Sequence, residues 1–194
     1  MKPELFSSCT AIIMAGGSAK RMGKDKRFLR VGNENLLERQ VRLFKQHFSE
    51  VIISANDPEK LAYLKVPVVR DEHLGKGPLE GLTTALNASH TDYNFVIAVD
   101  IPTIDMELIG KMRAHLDHSS AVIPVCVDGH QEPLFAFYSK NCIPIFKASL
   151  VEGELAVHRA LKRCPVFHFP MQGESLLRNL NNEEDYQAFI TASE

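Results

Sequence analysis

The stretch Thr10-Ala11-Ile12-Ile13-Met14-Ala15-Gly16-Gly17-Ser18-Ala19-Lys20-Arg21-Met22-Gly23-Lys24-Asp25-Lys26 decides the fold. Its first six residues form a short apolar run bounded by glycine, which predicts a buried strand that ends in a tight loop. In the loop, basic residues lie among glycines, so backbone amides can approach an anion closely while Lys20, Arg21, Lys24 and Lys26 supply charge. It is not a phosphate loop of the Walker type, because five residues separate Gly17 from Gly23-Lys24 and Asp25 stands where a hydroxyl should hold magnesium. It also lacks the Gly-x-Gly spacing of the dinucleotide fingerprint.

Short apolar runs and amphipathic stripes continue to alternate downstream. Leu37, Val41, Phe44 and Phe48 recur at helical spacing. Val51–Ala55, Val66–Val69 and Phe95–Val99 read as further strands, with helical segments over Pro58–Leu64 and Gly81–Ala88 between them. Strands apolar on both faces and separated by helices belong to a parallel sheet covered on both sides. The fold class is therefore α/β, a three-layer α/β/α sandwich with a mostly parallel, Rossmann-like sheet. Beyond Asp105 we expect helices near Met106–Leu116, Ile143–Leu150, Glu154–Leu161 and Glu183–Ile190, and strands near Ala121–Val125, Leu134–Tyr138 and Val166–Phe169. The 194 residues contain no repeat and no linker tract, so a single domain over 1–194 is expected.

Lys and Arg number 22 against 24 Asp and Glu, a net charge of −2, which argues against sequence-independent binding of nucleic acid. No apolar run is long enough to cross a membrane and the opening MKPELFSSCT lacks a signal-peptide core, so a cytoplasmic protein is expected. Cys9, Cys126, Cys142 and Cys164 form no CxxC pair and read as free thiols. His115 and His118 lack the further ligands of a zinc site and read as solvated residues. No Gly-x-Ser-x-Gly elbow is present, which speaks against covalent acyl chemistry.

Open parallel sheets bind ligands beyond the carboxyl ends of their strands. There the sequence places Ala15-Gly16-Gly17, Asn56-Asp57, Arg70-Asp71 and Asp100. Any one of these polar residues reads best as a turn former. Together they favour a site for a phosphorylated, metal-accompanied ligand. Asp100 follows the rigid run Phe95–Val99 and offers a hard oxygen suited to magnesium, whereas Asp105 is better placed to cap the next helix. Gly77-Pro78-Leu79-Glu80-Gly81 opens a helix with small residues, a surface for a planar base or pterin, or equally a place of close helix packing.

Ile12-Ile13-Met14-Ala15-Gly16-Gly17, Arg21-Met22-Gly23 and Asp25-Lys26 together resemble the signature loop of the Rossmann-like nucleotidyltransferases. Within them the chain most resembles the molybdenum cofactor guanylyltransferase family, and the likeness runs on through Asn56, Asp71, Gly77–Gly81, Asp100-Ile101-Pro102, Glu132-Pro133-Leu134-Phe135 and Asn179–Asp185. The resemblance implies transfer of GMP from GTP to the terminal phosphate of molybdopterin, with release of pyrophosphate. It places guanine and ribose on Met14, Ala15, Gly16 and Gly17, with help from Asn56 and Asp71. It gives phosphate neutralisation to Arg21 and Lys26, and magnesium (Mg2+) to Asp100. Gly77, Pro78, Gly81, Asn179 and Asn181 would face the pterin, and Glu80 would add a charge near that acceptor. Transient contacts with molybdenum cofactor synthesis or insertion proteins are implied as well. Two alternatives stand beside this reading: a cytidylyl or sugar-1-phosphate nucleotidyltransferase on the same fold, and a noncatalytic nucleotide-binding regulatory module.

Overall fold

The computed structural model describes residues 6–16, 25–171 and 179–193. The opening apolar run becomes β1 (Cys9–Met14), buried along its whole length. It is paired in parallel with β4 (Glu50–Ser54) on one side and β6 (Tyr93–Ala98) on the other. The full sheet runs β5 (Val68–Val69), β4, β1, β6, β8 (Phe135–Ser139), β7 (Ala121–Val125), β9 (Val166–Pro170). β8 is antiparallel to both its neighbours, with Phe135 opposite Ile97, while β7 and β9 are parallel. Six strands therefore share one direction and β8 alone opposes them, which agrees with the mostly parallel sheet expected.

Each face of the sheet carries its own apolar core, which explains why the strands lack polar alternation. Ile13, Phe95 and Ile97 point into a cluster with Phe44 and Val41 of α1 (Leu36–His47) and Ile109 and Met112 of α4 (Met106–Arg113). Tyr186 and Phe189 of α7 (Glu183–Ser193) pack on the same cluster. Ile12, Ile52 and Val96 point the other way, against Leu79, Leu82 and Leu86 of α3 (Gly77–Ala88) and Phe146 of α5 (Cys142–Val151). α1 starts on a reciprocal capping box, in which Asn35 Oδ1 accepts from the Glu38 N–H and Glu38 accepts from the Asn35 N–H, both at 2.8 Å. Asp105 caps α4 as expected.

Three local features differ from the sequence reading. α3 begins at Gly77 rather than Gly81, because Pro78 suits a first helical turn and Gly77 takes the φ of +72° that a side chain would resist. A small hairpin of β2 (Arg30–Val31) and β3 (Glu34–Asn35) turns on Gly32 at φ +60°. The segment expected as one helix over Glu154–Leu161 forms only α6 (Val157–Ala160) and a short 3-10 turn, and Pro58–Leu64 likewise splits after α2 (Pro58–Leu61). His115 is exposed, but its ring stacks on Phe167 at a centroid distance of 4.1 Å.

Candidate active site

At the carboxyl edge of β1, β4 and β6 lies a cavity of about 550 Å³. Met14, Ala15, Gly16, Lys26, Asn56, Asp71, Gly77, Pro78, Gly81 and Asp100 all line it. Gly17 and Arg21 lie outside the described residues.

The floor is held by hydrogen bonds that continue past the strand ends. The Ala15 N–H donates to the Ser54 carbonyl at 2.9 Å, and the Val99 N–H to the Met14 carbonyl at 3.0 Å. Asn56 and Asp71 bind each other reciprocally: the Asn56 amide donates to Asp71 Oδ2 at 2.8 Å and its oxygen accepts the Asp71 N–H at 2.9 Å. Gly81 brings α3 against this pair so closely that a Cβ there would sit 2.9 Å from Ser54 Oγ and 3.0 Å from Asp71 Oδ1. By contrast, a Cβ on Gly16 would meet only the Ser54 carbonyl at 3.8 Å, so the protein itself leaves that space to the cavity.

Asp100 follows β6 in a turn closed by the Ile101 N–H on the Ala98 carbonyl. Gln40, only 1% exposed, clamps this turn from α1, its amide donating to the carbonyls of Ala98, Val99 and Ile101 at 3.2, 3.4 and 3.0 Å. The Leu180 N–H donates to the Asp100 carbonyl at 2.8 Å. Held from two sides, Asp100 accepts a hydrogen bond on Oδ2 from Lys26 Nζ at 3.0 Å, the two side chains being 23% and 19% exposed. Lys26 is aimed in turn by its neighbours. Asp25 caps the turn Lys26–Phe28, and the Arg27 guanidinium bridges Asp25 (Nε–Oδ1 2.9 Å) and Asp57 (Nη2–Oδ2 2.7 Å). Arg27 holds the Asp57 carboxyl below the usual range, and it does the same for Asp25 although partial burial opposes it.

Gln40 and Arg27 are the positioning residues that the sequence reading missed. Gln40 carried a signal, a polar residue inside the stripe Leu37, Val41, Phe44. Arg27 carried none, because its second carboxylate is distant in sequence.

Glu80 departs from expectation. Its carboxylate is buried but turned from this cavity, accepting the His73 N–H at 2.9 Å and facing His73 Nδ1 at 3.0 Å. It lines a separate cavity with Glu72, His73 and Lys147. Among the described residues, Glu72, His73 and Glu80 are the group whose ligand atoms come within 4.8 Å of one another, and Asp100 is no part of it.

The two late asparagines also part company. Asn179 lines a further cavity of about 860 Å³ together with Glu132, Pro133, His158, Lys162, Cys164 and His168. Asn181 is exposed and lines neither this cavity nor the first one. Its N–H donates to Asp185 Oδ2 at 2.8 Å at the start of α7, a helix-capping arrangement. The loop 126–134 contributes to both cavities, with Leu134 lining the first and Glu132 and Pro133 the second.

A mostly parallel sheet whose carboxyl edge gathers a glycine-lined cavity, an amide–carboxylate pair and a lysine-bound aspartate defines an NTP transferase of Rossmann-like fold. The chain belongs to the family of the MobA-like NTP transferase domain, whose model matches residues 11–166. It is 34% identical over 187 residues to the molybdenum cofactor guanylyltransferase of Syntrophotalea carbinolica, covering 92% of this chain and 89% of that one. Molybdopterin-guanine dinucleotide biosynthesis protein A from Archaeoglobus fulgidus has the same fold, with a TM-score of 0.78 at 21% identity over 95% of this chain and 96% of that one. 2-C-methyl-D-erythritol 4-phosphate cytidylyltransferase from Thermus thermophilus shares it more distantly, with a TM-score of 0.69 at 16% identity over 94% and 97% of the two chains. Among the described residues no helix is long and apolar enough to cross a membrane.

Proposed function

We propose that this chain transfers GMP from GTP to the terminal phosphate of molybdopterin, releasing pyrophosphate and forming molybdopterin guanine dinucleotide. The observation that carries the reading is the meeting of Met14–Gly16, Asn56, Asp71, Gly77, Pro78, Gly81 and the Lys26–Asp100 pair around one cavity, in a chain of this family. A phosphate monoester has its second pKa near ~6, so the attacking oxygen is already ionised at neutral pH and needs no general base. That oxygen forms a bond to the α-phosphorus as the bond to the β-phosphate oxygen breaks, and pyrophosphate leaves with the electron pair. The protein's task is positioning and charge neutralisation.

In this proposal the backbone at Met14–Gly16 with Gly17 meets the base and ribose, Asn56 and Asp71 hold the nucleoside, and Lys26 and Arg21 take phosphate oxygens. The described side chains of the cavity set Lys26 and Arg27 against Asp25, Asp71 and Asp100, and both cations are already engaged by carboxylates. A triphosphate needs further positive charge. Asp100 fits a magnesium ion on its donor chemistry: a hard, partly exposed oxygen at the cavity, suited to a metal that shares phosphates and keeps waters. When bound, such an ion neutralises phosphoryl charge and polarises the P–O bonds. Asp100 would hold the ion, and Lys26 beside it would supply charge to the phosphate oxygens. Transient contact with molybdenum cofactor synthesis or insertion proteins belongs to the same proposal, since the pterin is prone to oxidation.

The test is pyrophosphate release from GTP, CTP, ATP and UTP with magnesium, with and without a molybdopterin source. Release from GTP that requires the pterin is expected. Release from CTP alone moves the chain to the cytidylyl reaction, and silence with all four despite nucleotide binding makes it a noncatalytic module.

A further inference from the structure

We propose that Glu132 reads the pyrimidine edge of the pterin acceptor, in the cavity between the β7–β8 connection and β9. The inference rests on the transfer reaction proposed above and adds the residue that selects its acceptor.

Glu132 is 8% exposed, yet it has no lysine or arginine partner among the described residues. The ring Nε2 of His130 stands 3.7 Å from Oε2, and the Leu134 N–H favours the charged form of the carboxyl. A carboxylate so placed has given up water without a full set of donors, a costly arrangement unless a ligand completes it. Asn179 lines the same cavity, and its side-chain oxygen is buried with no hydrogen-bond donor among the described residues. Two acceptors short of donors in one cavity call for a ligand rich in N–H groups.

The 2-amino-4-oxopyrimidine ring of a pterin offers them. Its N3–H and 2-amino N–H point the same way, spaced to meet both oxygens of one carboxylate, as a guanidinium does. Lys162, His158 and His168 line the same walls and can bond the other polar atoms of the ring. Position fixes the direction in which it lies. The Leu180 N–H bonds the Asp100 carbonyl, so Asn179 stands beside the turn that carries Asp100, and Leu134, two residues beyond Glu132, lines the first cavity. A ligand with its ring at Glu132 extends its phosphate toward Asp100 and Lys26.

The experiment compares the affinity of the full chain for 6-hydroxymethylpterin and for 6-hydroxymethyllumazine, in which oxygen replaces the 2-amino group, by fluorescence titration. The unaltered chain is expected to prefer the pterin by roughly tenfold or more. Glu132→Gln should bring the ratio close to one, and Glu132→Asp should restore part of it. A ratio that Glu132→Gln leaves unchanged, or no pterin preference in the unaltered chain, overturns the inference. In the transfer assay, Glu132→Gln should raise KM for molybdopterin and leave KM for GTP alone. A higher magnesium requirement with unchanged molybdopterin KM would assign Glu132 to the metal and also overturn it. Failure of the unaltered chain to form any dinucleotide from GTP and molybdopterin sinks the transfer reading instead, whichever way the binding ratio falls.

Discussion

Around β1, β4 and β6 the carboxyl edge presents backbone and short side chains locked by reciprocal hydrogen bonds, whereas around β7, β8 and β9 it presents long titratable side chains with few partners. On the first side the chain's own geometry sets what can bind, because Ala15, Asn56, Asp71 and Asp100 have little freedom to move. On the second side Glu132, His158, Lys162 and His168 leave recognition to charge and hydrogen bonding. The nucleotide side should therefore fail sharply when altered, and the acceptor side by degrees.

The largest effect belongs to Asp100. Asp100→Ala should lower kcat on the order of a hundredfold or more while shifting the urea midpoint little, since the side chain is partly exposed and, among the described residues, bonded to Lys26 alone. If Lys162→Ala cost as much turnover, the contrast between the two sides would collapse. Gly81→Ala comes next, because its Cβ would press on Ser54 Oγ and Asp71 Oδ1. Overpacking of this kind costs about 1–3 kcal/mol, and calorimetry should show GTP affinity falling roughly tenfold. Gln40→Leu removes the amide that serves three carbonyls of the Asp100 turn, with an expected stability loss of about 1–3 kcal/mol in urea unfolding. Its kcat should fall more than its KM for GTP, since the turn carrying Asp100 loosens while the nucleoside contacts stay.

The smallest effect is one of sign. Arg27 lowers the folded pKa of Asp57 from its ordinary 3.8, so the unfolded chain binds more protons below that value. The stabilisation is complete above pH 3.8 and drains away as pH falls through the folded value. Burial does the reverse to Glu132, raising its carboxyl above the ordinary 4.5. There the folded state binds more protons, and stability declines as pH rises from 4.5 through the folded value. Urea titrations should find Glu132→Gln more stable than the parent at neutral pH, with the gap closing as pH drops toward 4.5. Arg27→Met should remove the acid-side dependence from Asp57. Two slopes of the same sign would contradict the contrast.

Much of this was legible in the sequence, for physical reasons that differ by element. Thr10–Ala15, Val51–Ala55 and Phe95–Val99 could be read as strands because a sheet with a core on each face leaves no polar alternation. The direction of β8 could not be read from Phe135–Ser139, since an apolar run carries no arrow. Its signal lay in the loop, for residues 126–134 are too few for the crossover that a parallel neighbour needs. Asn56, Asp71 and Asp100 were found by asking what each strand ends in. The Arg27 clamp on Asp25 and Asp57 escaped because a side chain's reach across the fold leaves no local pattern. Asn179 and Asn181 looked equivalent as neighbours in a polar run, and only the start of α7 separates a cavity wall from a helix cap.

The lone reversed strand has a consequence for how such a chain can change. Because β8 enters the sheet at the edge where β7 leaves it, the wall that carries Glu132 is a hairpin connection and not a crossover. Lengthening such a loop costs only about 0.6 kcal/mol for each doubling. None of the strands that hold Met14, Asn56 or Asp100 has to shift when it grows. Residues 126–134 are thus an exchangeable cassette: grafting this stretch between relatives should retarget the molecule that is modified while the nucleotide donor stays the same.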